Sequence, residues 1–215
     1  MNRENKKSSV ADLHRNKILK TSEKLFLEKG FSQTTISDIS NASEYSRRTI
    51  YSYYLSKEDI LHNIIAKALE KLKLDIEKTL DGKNGFIAQY MDICNAIYNY
   101  QTNSPIAFES IEKNSTDKID LNNVSPAVKK IFSLGSEINE LLSLYIQKGI
   151  SQGLVYEDIL PMQTVYILYS SISSAIALVQ SKGDFISKTF LMTKEEFLNY
   201  SFKQIINGIL INHIN

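Results

Sequence analysis

The segment "SEYSRRTIYSYYLSKEDI", residues 43–60, holds two adjacent arginines and four tyrosines. A solvated helix face favours Lys and Glu, and a core favours Leu and Ile; this stretch is neither. Arginine can pair bidentately with O6 and N7 of guanine, and tyrosine and serine hydroxyls suit phosphate oxygens. The chemistry on offer is recognition of a nucleic acid. Lys57 adds to it, because it falls at the first position of a helix, where the macrodipole disfavours a cation. A phosphate held at that helix terminus would turn the cost into a gain.

These side chains need elements to hold them. Ser46 can cap a short helix ending near Tyr54, with Tyr45 packing on Ile50 as a hydrophobic staple. At about 100° per residue, Ile50 and Tyr54 lie on one side and point inward. Arg48 and Ser52 fall opposite, Thr49 and Tyr51 flank them, and Arg47 in the first turn can reach outward. Upstream, Ile18, Leu19, Ser22, Leu25 and Phe26 stripe one face of a helix from about Asp12 to Lys29, which Gly30 ends. Thr35 with Asp38 forms a capping box for a second helix that stops near Ser43. Downstream, Ser56 with Asp59 starts a fourth helix, with Leu55 and Ile60 as its staple, running through Ile64, Leu69, Leu72 and Ile76. Two short helices across a tight turn form a helix-turn-helix, whose second helix lies in the DNA major groove. The same spacing also fits a three-helix packing unit with solvated arginines.

The remaining chain reads as helix throughout: Phe86 to Gln101, Pro105 to Lys113, Pro126 to about Gln152, Pro161 to Ser181 and Lys194 to Asn212. "LDGKNG" (80–85) is the expected domain break and "NSTDKIDLNN" (114–123) a polar loop. The fold class is therefore all-α. Residues 1–11 are expected to be a flexible basic arm and 12–60 the helix-turn-helix domain. The fourth helix continues as a connector to about 80, and residues 84–215 form a second domain.

The run "ILKTSEKLFLEKGFSQTTISDISNASEYSRRTIYSYYLSKEDIL" resembles the N-terminal DNA-binding domain of the TetR family of transcriptional regulators. The likeness covers about Ile18 to Leu61, without gaps. It implies a homodimer that binds a palindromic operator, most often as a repressor, and is released by a small-molecule effector. Carried onto this chain, Thr35 and Lys57 would meet backbone phosphate. Arg47, Arg48, Thr49 and Ser52 would face base edges or nearby phosphates, from a helix that Ser46 starts. Tyr51 and Tyr53 sit where phosphate contacts are commonly made. One departure stands out: the turn, usually "AGVS", is Ser43-Glu44-Tyr45-Ser46. A left-handed Glu44 would cost about 1 kcal/mol and puts a negative charge near the groove.

The resemblance also implies an effector pocket among the middle helices, with Tyr90, Cys94, Tyr98, Phe108, Glu109, Glu112, Tyr145, Tyr166 and Tyr169 as candidate lining. Glu109 and Glu112 would favour a cationic effector if they faced it; otherwise they are a solvated edge. The last two helices would pair with those of a second subunit. "TVYILYSSISSAIALVQ" is apolar or small nearly all round, and Tyr169, Ser173, Ile176, Ala177, Phe197, Ser201, Ile205 and Ile209 are the candidate interface residues.

Composition narrows the classes. Residues 1–60 carry a net +3 and the rest −2, a mild asymmetry that permits a polyanion partner without requiring one. A single cysteine, Cys94, cannot close an intramolecular disulfide, so a reducing, cytoplasmic setting is expected. The basic start lacks the apolar stretch of a secretory signal, and Val165 to Val179 is too short and serine-rich for a membrane span. His14, His62 and His213 are scattered, without metal-ligand or nucleophile spacing, and "GKNG" lacks a phosphate-loop Lys-Ser/Thr. No metal, cofactor or enzymatic activity is expected. The rival to a DNA-binding regulator is a helical protein-interaction module that keeps the shape and has lost specific DNA binding.

Overall fold

The computed structural model describes residues 3–113 and 123–214. They form α1 (Arg3–Lys29), α2 (Ile36–Ser43), α3 (Arg47–Tyr53), α4 (Lys57–Asp81), α5 (Phe86–Asn103), α6 (Pro105–Lys113), α7 (Pro126–Ser151), α8 (Pro161–Phe190) and α9 (Lys194–Asn207). The all-α class holds. The polar loop expected at 114–123 lies, but for Asn123, outside the described residues. The chain divides into two compact units: Met1–Leu69 with Ser104–Ser133, and Glu70–Asn103 with Leu134–Asn215.

In the first unit, the α1 stripe is buried as the sequence implies: Ile18, Leu19, Ser22, Leu25 and Phe26 all face inward. Gly30 ends the helix at φ +83°, a left-handed value that costs a residue without Cβ nothing, and its N–H donates to Phe26 O at 3.0 Å. The turn that follows is pinned by buried Thr34, whose hydroxyl donates to Gly30 O at 2.9 Å. Ile39 of α2, Ile50 of α3, Tyr54, and Ile60 and Ile64 of α4 close one core with Ile18 and Phe26, and Ile106 of α6 packs against it. Burying a side chain such as Ile50 contributes about 2 kcal/mol. That is how a seven-residue helix, too short to persist alone, is held in place.

In the second unit, α8 packs most extensively on α9, and it also meets α5. Tyr90 donates its hydroxyl to Phe202 O at 3.0 Å and Tyr145 to Phe86 O at 2.7 Å, while the Phe86 and Tyr145 rings stack at 4.4 Å. Gly149 packs against that stack, and a Cβ there would lie 2.6 Å from the Phe86 ring and force it to move. After α9 the chain pairs back on the α7–α8 connection, Tyr156 N donating to Ile209 O at 3.1 Å and Ile211 N to Leu154 O at 3.0 Å.

Five expectations change. Helix α1 begins at Arg3, so the stretch expected as an arm is helical backbone from that residue. The units divide inside α4, and "LDGKNG" is a turn within the second one. There the Gln89 side-chain amide donates to the carbonyls of Thr79, Leu80 and Gly82 at 3.2–3.3 Å. The Leu55–Ile60 staple does not form: Leu55 is 79% exposed, and Asp59 caps by accepting from Leu55 N at 2.9 Å. Helix α8 continues nine residues past Ser181 through a kink at Lys182, which makes it long and apolar enough to cross a membrane by length and composition. Its inward face, Val165, Leu168, Ile172, Ile176 and Val179, is instead buried in the unit's core. Helix α9 stops at Asn207, because the residues beyond are taken up by the pairing just described.

Candidate nucleic-acid interface

The reading helix is α3. Ser46 caps it, its hydroxyl accepting from Thr49 N at 3.0 Å, and Ile50 and Tyr54 are buried behind it. Tyr54 further donates its hydroxyl to Arg15 O at 3.3 Å, and burial pushes that phenol up to about 12. The residues spaced between these anchors face out. Arg48 is exposed and has no partner among the described residues; Tyr51 beside it is 52% exposed. Arg47 is also exposed, and its guanidinium donates to Ser37 Oγ on α2. That bond fastens the first turn of α3 to the helix before it and leaves the other guanidinium donors outward.

The hydroxyls expected to meet nucleic acid are mostly spent within the fold. Ser52 donates to Thr49 O at 2.6 Å, and the Thr49 and Ser46 hydroxyls lie 2.8 Å apart. Thr35 gives its hydroxyl hydrogen to Asp38 Oδ2 at 2.6 Å and accepts from Asp38 N at 3.1 Å. These bonds, with the Lys29 ion pair at 3.0 Å, hold the Asp38 carboxyl well below the usual carboxylate range. The Tyr53 ring is half-buried, with the Arg15 guanidinium 5.6 Å from its centroid. Lys57 donates to Phe31 O at 2.7 Å and Thr34 O at 2.8 Å. Its ammonium sits 4.3 Å from the Phe31 ring centroid, so the macrodipole cost at this position is offset by two carbonyls, and one of three donors is left over.

Reading the sequence missed a second layer behind the face. Glu44 does adopt the left-handed conformation, φ 62° and ψ 21°, and Lys17 of α1 reaches its carboxylate at 2.7 Å. The missing turn glycine was the signal; the residues that answer it are 27 and more positions away in sequence, so periodicity could not find them.

The expected effector residues fall in separate places. In the second unit, a small apolar cavity of about 30 Å³ is lined by Tyr90, Tyr145 and Tyr169 together with Ile97, Leu142 and Leu168 among others. Cys94 is fully buried and burial pushes its thiol up to about 12, but it does not line the cavity. Tyr98 and Tyr166 do not line it either, and Tyr166 is exposed. Phe108, Glu109 and Glu112 sit on α6, which belongs to the other unit, and are not among the residues that line this cavity. The candidate pairing residues also divide. Ser173, Ile176 and Ile209 are buried within the chain, Ser173 accepting from Gln101 Nε2 at 2.8 Å. Ala177 is exposed, and Tyr169, Phe197, Ser201 and Ile205 are half-buried. The outward stripe of α8 is Ile167, Ser170, Ser174 and Leu178 instead.

An exposed Arg–Tyr face on the second helix of a packed helix-turn-helix is the geometry of a DNA-reading element. The comparisons with known proteins agree. The family described as "Bacterial regulatory proteins, tetR family" matches residues 18–64. The HTH-type transcriptional regulator HbdR of Aromatoleum sp. (strain CIB) is 29% identical over 91 residues, which cover 42% of this chain and 38% of HbdR. YfiR of Bacillus subtilis (strain 168), an uncharacterized HTH-type transcriptional regulator, is 25% identical over 172 residues, 77% of this chain and 78% of YfiR. The crystal structure of the TetR family transcriptional regulator PfmR from Thermus thermophilus gives a TM-score of 0.66 at 24% identity, over 87% of this chain and 96% of that one. The fatty acid degradation regulator FadR from Bacillus halodurans gives 0.69 at 13%, over 94% and 97%; at such identity the likeness is one of fold. Residues 18–64 thus carry the likeness to the tetR-family regulatory domain, and the chain as a whole shares the fold of solved TetR-family regulators.

Proposed function

We propose that the chain acts in the cytoplasm as a homodimeric repressor that binds a palindromic operator and leaves it when a small molecule enters the second unit. The observation that carries this is the α3 face: Arg48 and Tyr51 exposed and aimed away from Ile50 and Tyr54. One such helix reads too few bases to select a site alone, so a two-fold pair is needed. The α8 stripe Ile167, Ser170, Ser174 and Leu178, with Ile167 64% exposed, supports pairing with a second copy.

The apolar lining of the cavity suits an effector that is uncharged and largely hydrocarbon, for which the cavity would have to open beyond its volume of about 30 Å³. Its Tyr90 and Tyr145 hydroxyls already donate to backbone carbonyls, and a charge placed among isoleucines and leucines would be left without a counter-group. Such a ligand would act by binding one conformer of the dimer better than another, and only to the extent of that difference.

The test is to select bound duplexes from a random DNA pool and titrate the winner with salt. An inverted repeat, with affinity falling steeply as salt rises through counterion release, is the expected result. Selection of no duplex, or a flat salt response, would favour the interaction module.

A further inference from the structure

The turn that launches α3 is unusual chemically, and the α1 residues that touch it are the ones facing its two odd positions. Glu44, the C-cap of α2, is one of two non-glycine residues at positive φ among the described residues. A side chain there crowds its own backbone, which glycine would not. Lys17 Nζ lies 2.7 Å from Glu44 Oε2 and 5.2 Å from the centroid of the Tyr45 ring, so one ammonium holds both turn residues. His14, one helical turn earlier, has Nδ1 2.5 Å from Tyr45 Oη, with the two rings edge-to-face at 5.2 Å. From the other side, Ser40 of α2 donates its hydroxyl to Tyr45 O at 2.7 Å. The next residue is Ser46, the cap of α3.

We infer that Lys17 and His14 are positioning residues for DNA reading, clamping a turn without glycine so that α3 leaves it at one fixed angle. The inference rests on the DNA-binding reading and adds to it a role for α1. A turn strained at Glu44 and unclamped would relax by changing its backbone angles. A few degrees there tilt the whole of α3, and with it the outward face that Arg48 and Tyr51 share. The clamp works through Glu44 and Tyr45, and neither Lys17 nor His14 needs to touch DNA.

The experiment measures affinity for a duplex selected by the wild-type chain, and for a scrambled duplex, across a salt series. Lys17→Ala is expected to weaken the selected duplex about fivefold, leaving the scrambled duplex and the salt slope unchanged. In a Glu44→Gly background, where the strain is gone, Lys17→Ala is expected to do nothing further. His14→Phe and Tyr45→Phe should each cause a similar partial loss, and together no more than one alone.

An equal loss from Lys17→Ala in both backgrounds, with the salt slope reduced by about one, would make Lys17 a phosphate contact and overturn the clamp. No loss at all would overturn it too. Urea unfolding of the wild type, Lys17→Ala, Glu44→Gly and their double variant separates the layers. Coupling between 17 and 44 in urea, with no duplex selected by the wild type, would leave a clamp but end its role in reading along with the DNA-binding proposal. Additivity in urea would remove the clamp itself.

Discussion

At the scale of single residues, the interface depends on which donors remain after the fold has used its own. Arg48 keeps all of them, whereas Ser52 and Thr35 have theirs engaged by a turn and a cap, and Ser46 and Thr49 use one between them. Arg48→Ala is therefore expected to lose about 1–3 kcal/mol of binding to a selected duplex and to relax preference at one base position. Equal losses on selected and scrambled duplexes in a gel-shift titration would instead make it a phosphate contact. Ser52→Ala should change affinity far less, because its hydroxyl serves Thr49 O. Cys94 gives a check on burial: its raised pKa and complete enclosure keep it as the thiol at neutral pH. Labelling by a disulfide reagent should wait on unfolding, so rapid labelling of the folded chain would contradict this packing.

At the scale of elements, short helices are held by caps and by one or two anchors each. Helix α2 depends on Asp38, whose carboxylate accepts from Thr35 N at 2.8 Å. Because its folded pKa is depressed, its contribution is complete above the ordinary carboxylate range and is lost as pH falls through the folded value. Asp38→Asn should lower the urea midpoint at pH 7, because the amide cannot replace the carboxylate in the capping box. The gap from the wild type in urea midpoints should narrow as pH drops below about 4. A gap independent of pH would mean the carboxylate is not what matters. Helix α3 depends on Ile50, and Ile50→Ala should cost about 2–5 kcal/mol, read as a lower urea midpoint. In the second unit, Gly149→Ala must move the stacked Phe86 ring. It is expected to destabilise by about 1–3 kcal/mol, while its α7 neighbour Gly135, with open space around a new Cβ, should tolerate the same change.

At the scale of the whole molecule, the open question is what covers the outward side of α8. Leu178→Glu and Ile167→Glu place charges on the exposed stripe, where a lone chain would tolerate them. If a second copy sits there, sedimentation should show the dimer dissociating while helix content stays. Unchanged association would move the interface elsewhere, with Phe185 and Phe190 past the kink as the next exposed apolar residues. Most of the helix order was legible beforehand. Pro105, Pro126 and Pro161 mark the starts of α6, α7 and α8, since proline fits a first helical turn and has no N–H to lose there. The ends of α8 and α9 were not legible, because a kink and a returning tail are set by neighbours far away in sequence.

By itself, then, the sequence determined the all-α class, the capped helix-turn-helix and the split of α3 into anchors and reading side chains. Those follow from interactions within one or two helical turns, where side-chain spacing fixes who meets whom. Tertiary structure alone decided that Lys57 ties down a loop and that Lys17 answers the strain at Glu44. It also decided that Ser173, Ile176 and Ile209 face inward and that the α6 carboxylates sit in a different unit from the cavity. Each of those depends on side chains brought together from distant positions, and a helical period repeats too uniformly to say which neighbour a given face will find.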